Sequence, residues 1–273
     1  MDPRPRLVPS LDLVRRASGA ATAYTVARMR ILESIPGNPL GVAIRTEDNV
    51  VALMAQHLPS PAFNSVVGLQ PGQADRIQPL AEWYRAHGVA GQFEIAAGDY
   101  DPALGRELVR LGFFPSGCHA ALIGEPDPHV AMPRGIAVEA VASGEQMEEF
   151  LTAYVLGWGI PQAAWEPFKK NVRAWLGQPG WSLYLARIEG RPAATATLFI
   201  QDGVGYFADS ATDPAFRGRG LHAALLGRRL RDASAAGVDF VSGGAAFLST
   251  SHRNMERAGM RLLVLRSIWT TLD

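Results

Sequence analysis

Apolar and polar residues alternate over Ile136 to Val141, the period of a half-buried strand, and Trp181 to Ile188, Pro192 to Ile200 and Val204 to Ala211 read as further strands. Between them the period lengthens. Gly144 to Gly157 carries Met147, Phe150, Leu151, Tyr154 and Val155 at helical spacing, and Gln162 to Leu176 reads as a second helix stopped by Gly177-Gln178-Pro179-Gly180. Glu189-Gly190 marks a hairpin, and Asp202-Gly203 turns the chain into the Val204 strand. From Leu221 to Ala236 a helix is predicted with Ala223, Leu226, Gly227, Leu230 and Ser234 on one face and an i,i+4 pair, Arg228 and Asp232, on the other. A strand at Phe240 to Gly243, a helix from Ser249 to Ala258 closed by Gly259, and a strand from Met260 to Trp269 follow. The order is βααβββαβαβ, an α/β sandwich.

The earlier part of the chain ends in a similar order. After a helical region, Ser10 to Ile35, come a hairpin of Val42 to Arg45 with Val50 to Gln56 turning at Asp48-Asn49, a strand at Phe63 to Leu69, a helix at Gln73 to His87, a strand at Phe93 to Ala96, a helix at Pro102 to Leu111 and a strand from Phe113. Arg110-Leu111-Gly112-Phe113 stands where Arg257-Ala258-Gly259-Met260 stands later, so an internal duplication is predicted. Turn formers cluster at Gly124 to His129 and Met132 to Gly135, which divides the chain into a first domain over 1–125, a linker over 126–134 and a second domain over 135–273.

Composition narrows the function classes. The 273 residues are 48% hydrophobic and 19% charged, ordinary for a globular chain and unlike a disordered or coiled-coil one. Twenty-six basic and 26 acidic side chains balance, so no overall field draws the protein to nucleic acid or an anionic membrane, and neither is expected as a partner. The arginines at 217, 219, 228, 229 and 231 form no stripe and have no interleaved aromatics. One cysteine, Cys118, excludes an internal disulfide and a multi-thiolate zinc site, and it reads as a small strand residue. The N-terminus lacks the apolar run of a signal peptide, and a cytoplasmic protein is expected. His57, His87, His119 and His129 show no metal-ligand spacing, so no metal is expected.

The chemistry lies between the Val204 strand and the Leu221 helix, in Asp213-Pro214-Ala215-Phe216-Arg217-Gly218-Arg219-Gly220-Leu221-His222. Gly218 and Gly220 let the backbone approach a ligand, the helix start presents unpaired N–H groups, and Arg217 and Arg219 add charge. Such a turn suits the phosphates of a polyanion with an extended arm.

Here the chain resembles the GNAT superfamily of acyl-coenzyme A-dependent N-acyltransferases, whose signature is Arg/Gln-x-x-Gly-x-Gly/Ala. Arg217, Gly220 and the sixth position occupy it, with His222 departing from the small residue. The likeness covers Ile136 to Trp269, and Ser249 to Asn254 with Glu256 to Gly259 resembles the family's second cofactor segment. It implies acetyl-coenzyme A (acetyl-CoA) as cosubstrate, with its pyrophosphate on the N–H groups of Arg217, Gly218, Arg219, Gly220, Leu221 and His222, its pantetheine arm along Ala211 and Thr212, and Asn254 on the cofactor side. It also implies splayed strands at the slot and a bulge near Ser210 to Thr212 that offers an N–H to the oxyanion. Family bases sit on the strand before the motif. Tyr206 holds the matching position, Asp209 is the strand's carboxylate, and Glu166 on the second helix is another candidate. The family's general acid, a tyrosine, is replaced by Met255, with Ser251 and His252 nearby. Trp158, Trp165 and Trp175 lie where the family's acceptor site forms, beside the loop Gly157 to Pro161.

The implied fold is α/β (α+β), with two GNAT-like three-layer domains, each with a mixed, mostly antiparallel sheet. The first is degenerate: Leu69-Gln70-Pro71-Gly72-Gln73-Ala74-Asp75 has one glycine, no arginine and an acid. Tandem members such as mycothiol synthase-like enzymes have this architecture. The expected activity is direct acetyl transfer to an amine of a small molecule or peptide, and homodimerisation is left open. An acyl-CoA sensor without turnover and a Fem-type aminoacyl transferase are the alternatives.

Overall fold

The computed structural model describes residues 7–58 and 60–272. Their backbone forms two compact units.

In the N-terminal unit, α1 (Leu11–Glu33) starts at Ser10, whose hydroxyl accepts the Leu13 N–H. Strands β1 (Val42–Glu47), β2 (Val50–Ala55) and β3 (Ser65–Val67), helix α2 (Ile77–Ala86), strand β4 (Gln92–Ala96), helix α3 (Pro102–Arg110) and strand β5 (Phe113–Gly124) follow. The core gathers Met54, Ile77, Trp83, Phe93, Ile95, Leu104 and Phe113.

In the C-terminal unit come β6 (Ile136–Ala140), α4 (Gly144–Gly157), α5 (Trp165–Arg173), β7 (Trp181–Ile188), β8 (Arg191–Gln201), β9 (Val204–Thr212), α6 (Leu221–Ala235), most of β10 (Phe240–Ala246) and α7 (Thr250–Arg257); β11 (Arg261–Thr271) follows and only begins there. The order is the one the periodicity predicts. The strands β10-β9-β8-β7-β6 pair antiparallel except β9 with β10, giving a mixed, mostly antiparallel sheet. Glu189 and Gly190 both have positive φ, 53° and 74°, the tight hairpin geometry that matches strand twist. A capping box of Ser143 and Gln146 starts α4, which lays Met147, Phe150, Leu151 and Tyr154 against β7 to β9. Helix α6 packs on β6 to β9.

Three expectations are corrected. The last strand does not belong wholly to the second domain: residues 263–272 cluster with the N-terminal unit, where β11 runs antiparallel to β4, Ile268 opposite Glu94, and Trp269 joins the core. Strand edges select partners by unpaired N–H and C=O groups, which chain proximity does not reveal. The segment 126–134 is not a bare linker either. It lies on α6, with the Asp127 N–H on Leu230 O (3.3 Å) and the Arg231 guanidinium on Val130 O (2.6 Å). Finally, the buried stripe of α6 is Leu221, Ala224, Leu225, Leu226, Gly227, Arg229, Leu230 and Ala233, and Ala223 is exposed. The Arg228–Asp232 pair forms as predicted, at 2.9 Å.

Candidate functional site

The site is built on β9 and the turn into α6. Pairing of β8 with β9 runs regularly to Thr197 opposite Ala208 and resumes at Thr195 opposite Ala211, so Asp209 and Ser210 together face Ala196. Two residues against one is a β-bulge, and Asp209 adopts φ +48° to make it. Beyond the bulge the Asp213 N–H donates to Ala193 O (2.9 Å). Backbone groups of a strand alternate edges, so Ala211 also faces β8, while the N–H of Thr212, and that of Ser210 before it, face the other edge. That edge is open. The ladder of β9 with β10 ends at Phe207 opposite Gly243, although β9 continues to Thr212. The strand expected to carry an extended ligand therefore offers Thr212 and Ser210, and Ala211 is held in the ladder.

Asp213 caps the turn, its side chain accepting the Ala215 N–H. Gly218 and Gly220 have φ +76° and +84°, which only glycine adopts without strain. Gly220 is the N-cap of α6 and brings no side chain to its first-turn N–H groups, so Leu221 and His222 present uncapped donors at the positive end of the dipole. The matching turn in the N-terminal unit consumes its own donors. There Asp101 takes the Gly72 N–H and Gln73 takes that of Gln70.

The two arginines of the motif do not both reach outward. Arg217 folds back, donating to Thr212 O and Gly157 O (both 3.3 Å), and so ties the end of α4 to the end of β9. Arg219 pairs with Glu189 at 2.5 Å on the surface. The cradle's attraction for an anion accordingly rests first on backbone donors.

His222 is fixed by a relay. Arg257 Nη1 donates to Asn254 Oδ1 (2.9 Å), which turns Asn254 Nδ2 toward His222 Nδ1 (3.1 Å). Nδ1 therefore accepts, and the proton sits on Nε2, a buried atom with no partner among the described residues. A buried unmet donor beside uncapped helix N–H groups fits an anionic or carbonyl-bearing ligand. Asn254, expected on the cofactor side, acts through His222.

Burial, reinforced by the charge of Arg229, lowers the His222 pKa to about 4. Unfolded histidine titrates near 6.5. As pH falls the unfolded chain takes up the proton first, so this contribution to stability is full above about pH 6.5 and is lost toward about pH 4, by about 3 kcal/mol. His222→Gln is expected to flatten that interval in urea unfolding; a variant that loses stability as steeply as the parent between about pH 7 and 4.5 would contradict the assignment.

The candidate proton-transfer residues are dispersed. Tyr206 pairs with Phe199 across β8, and strand alternation puts its half-buried side chain on the face opposite Phe207 and Arg229. Asp209 stands at the bulge, close enough to act on the Arg229 charge. Ser251 lies half-buried in the first turn of α7, and the cap there is Ser249, which accepts the His252 N–H. His252 is committed to structure, its Nδ1 accepting from the Leu248 N–H (3.0 Å). Met255 is buried, and a Cβ on Gly243 would meet its methyl at 3.3 Å. On the other side, Trp165 Nε1 donates to Ile160 O (2.8 Å) and pins the loop after α4, where Trp158 is exposed. Tyr154, Trp175 and Trp181 continue an aromatic series there with ring separations of 5.8 and 5.2 Å. Glu166 occupies the first turn of α5.

Sequence reading named Gly157 only as the start of the acceptor loop and gave Arg229 no role in the site. A Cβ at Gly157 would lie 2.8 Å from Ala211 Cβ, and nothing but its place at a helix end marks it. Arg229 had a signal, a charge inside the apolar stripe of α6. No described residues form a group of three or more His, Cys, Asp or Glu that could hold a metal ion, and no described helix is long and apolar enough to cross a membrane.

Comparison with known proteins matches residues 132–247 to an acetyltransferase (GNAT) domain. None of the curated proteins matches the chain. Among solved structures, a GCN5-related N-acetyltransferase from Kribbella flavida is 18% identical over 97% of both chains with a TM-score of 0.69. One from Sphaerobacter thermophilus is 18% identical over 95% of this chain and 93% of its own, with a TM-score of 0.63. A tandem GNAT protein from the clavulanic acid biosynthesis pathway is 15% identical over 92% and 96%, TM-score 0.62. At these identities the structures speak for the fold along nearly the whole chain. Residues 132–247, which hold the strand, turn and helix around Arg217 to His222, thus match the GNAT acetyltransferase domain, and the solved structures share its fold.

Proposed function

We propose that the protein transfers an acetyl group from acetyl-CoA to an amine of a small molecule or peptide by direct attack. The observation that carries this reading is the uncapped start of α6 at Gly220, adjoining the open edge of β9. The N–H groups of Gly218 to His222 would hold the pyrophosphate, the Thr212 N–H the pantetheine arm, and the Ser210 N–H the carbonyl oxygen. The thioester supplies an activated acyl carbon and a thiol leaving group of pKa near 8.5, a tolerable thiolate without an acid. The buried thioether of Met255 therefore leaves transfer feasible. An amine of pKa near 10 is about one part in a thousand neutral at pH 7, so Asp209, directly or through water, takes up its proton, and Tyr206, a neutral phenol at that pH, serves only to relay one.

Met255 also supports a second reading, an acyl-CoA sensor without turnover. Calorimetric titration with acetyl-CoA, followed by thiol release across an amine panel, separates them. Micromolar binding with release on at least one amine is expected. Absence of binding removes both readings, and binding with no release on any amine favours the sensor.

A further inference from the structure

Among the described residues Arg229 is the largest fully buried side chain, with 0% exposure. Its donors go to neutral acceptors: Nε to Leu225 O (3.2 Å), Nη1 to Thr197 O (3.1 Å) and Ala208 O (3.3 Å), and Nη2 to Ser210 Oγ (2.9 Å). The guanidinium also lies 4.5 Å from the Phe207 ring centroid. Burying a cation is costly where a methionine would fill the space, even with the Asp209 carboxylate near enough to act on its charge, so the arrangement is not explained by packing. Its acceptors identify what it does. Thr197 and Ala208 are the last matched pair before the β8–β9 register slips, and Ser210 is inside the slip. A bulge leaves backbone groups without ladder partners, and buried ones must be satisfied. The planar fork meets a carbonyl on each strand and the hydroxyl of the bulged residue, which a lysine could not do together.

We infer that Arg229 is a positioning residue for acyl transfer: its grip on Thr197 O, Ala208 O and Ser210 Oγ holds the β9 bulge so that the Ser210 N–H faces the open edge and polarises a thioester carbonyl. The inference rests on the acetyl-transfer reading and adds to it a residue that touches no substrate.

The test uses the full chain with acetyl-CoA carrying a labelled carbonyl. Infrared difference spectra read the carbonyl stretch when bound, calorimetry reads the affinity for CoA, and thiol release gives kcat on the best amine. For Arg229→Lys, CoA affinity should stay within about threefold, the carbonyl band should move back toward its solution frequency, and kcat should fall about 100-fold, the size of losing one oxyanion donor. Ser210→Ala keeps the N–H and loses one grip, so a smaller change of the same kind, about fivefold, is expected, and it serves if Arg229→Lys does not fold. A folded Arg229→Lys or Ser210→Ala protein with the parent's carbonyl band and kcat overturns the inference, as does a loss of CoA affinity matching the loss of kcat. A parent protein that binds acetyl-CoA without shifting the carbonyl overturns it alone; one that does not bind acetyl-CoA overturns the functional reading with it.

Discussion

Glutamate in place of Gly220 is expected to abolish acetyl-CoA binding in a chain that still folds. A Cβ there would meet Ile136 Cδ1 at 3.6 Å and Pro133 Cβ at 3.8 Å, ordinary contacts, so there is room for a side chain. The conformational cost is that of a non-glycine residue at φ +84°, about 1–2 kcal/mol. The electrostatic cost to the ligand is far larger. The carboxylate would satisfy the first-turn donors of α6 as an N-cap and set a negative charge where the pyrophosphate is to sit. Gly220→Ala carries the same strain without the charge, so it should melt a few degrees lower yet bind within about tenfold of the parent. Calorimetry on the pair separates strain from repulsion. Parent-like affinity in Gly220→Glu would remove the α6 N-terminus from the site.

Valine at Gly157 should be the most damaging single change to the scaffold of the site. A Cβ would stand 2.8 Å from Ala211 Cβ and 2.9 Å from Thr212 N, closer than side chains approach, and neither the alanine methyl nor the backbone can rotate away. Either α4 lifts or β9 shifts, and overpacking of this kind costs about 3 kcal/mol, about 6–12 °C in Tm. Both responses break the link from Arg217 to Gly157 O and move the Thr212 N–H, so acetyl-CoA affinity should fall at least tenfold. Gly159→Ala is the control: its Cβ meets nothing within 4 Å, and only its φ of +66° is strained. Equal melting temperatures for Gly157→Val and Gly159→Ala would refute the close-approach account.

The parts of this molecule that were legible in its sequence are those that local chemistry decides. Turn residues at Glu189-Gly190 and Asp202-Gly203 bounded the strand runs of β7, β8 and β9, and Gly218 and Gly220 marked a turn needing positive φ. The bulge was expected from family likeness near Ser210, but its position at Asp209 and Ser210 depends on register, which is set between strands. The α6 face was misread at Ala223 because a helix on a twisted sheet buries a broad stripe, and a rule that places charges outside assigns Arg229 to solvent. The open edge of β9 and the relay from Arg257 to His222 join residues far apart in sequence, beyond any periodicity.

The placement of β11 bears on how the chain reaches its native state. Ser267 Oγ donates to Ile95 O across 172 positions of sequence, and Trp269 completes a core otherwise made by residues before Phe113 and Phe113 itself. A ribosome releases the N-terminal segment long before its final strand exists. Until β11 has been made, β4 waits with an unpaired edge, so this unit completes its sheet only after the whole intervening unit has been synthesised, with the slow loop closure that distant contacts impose.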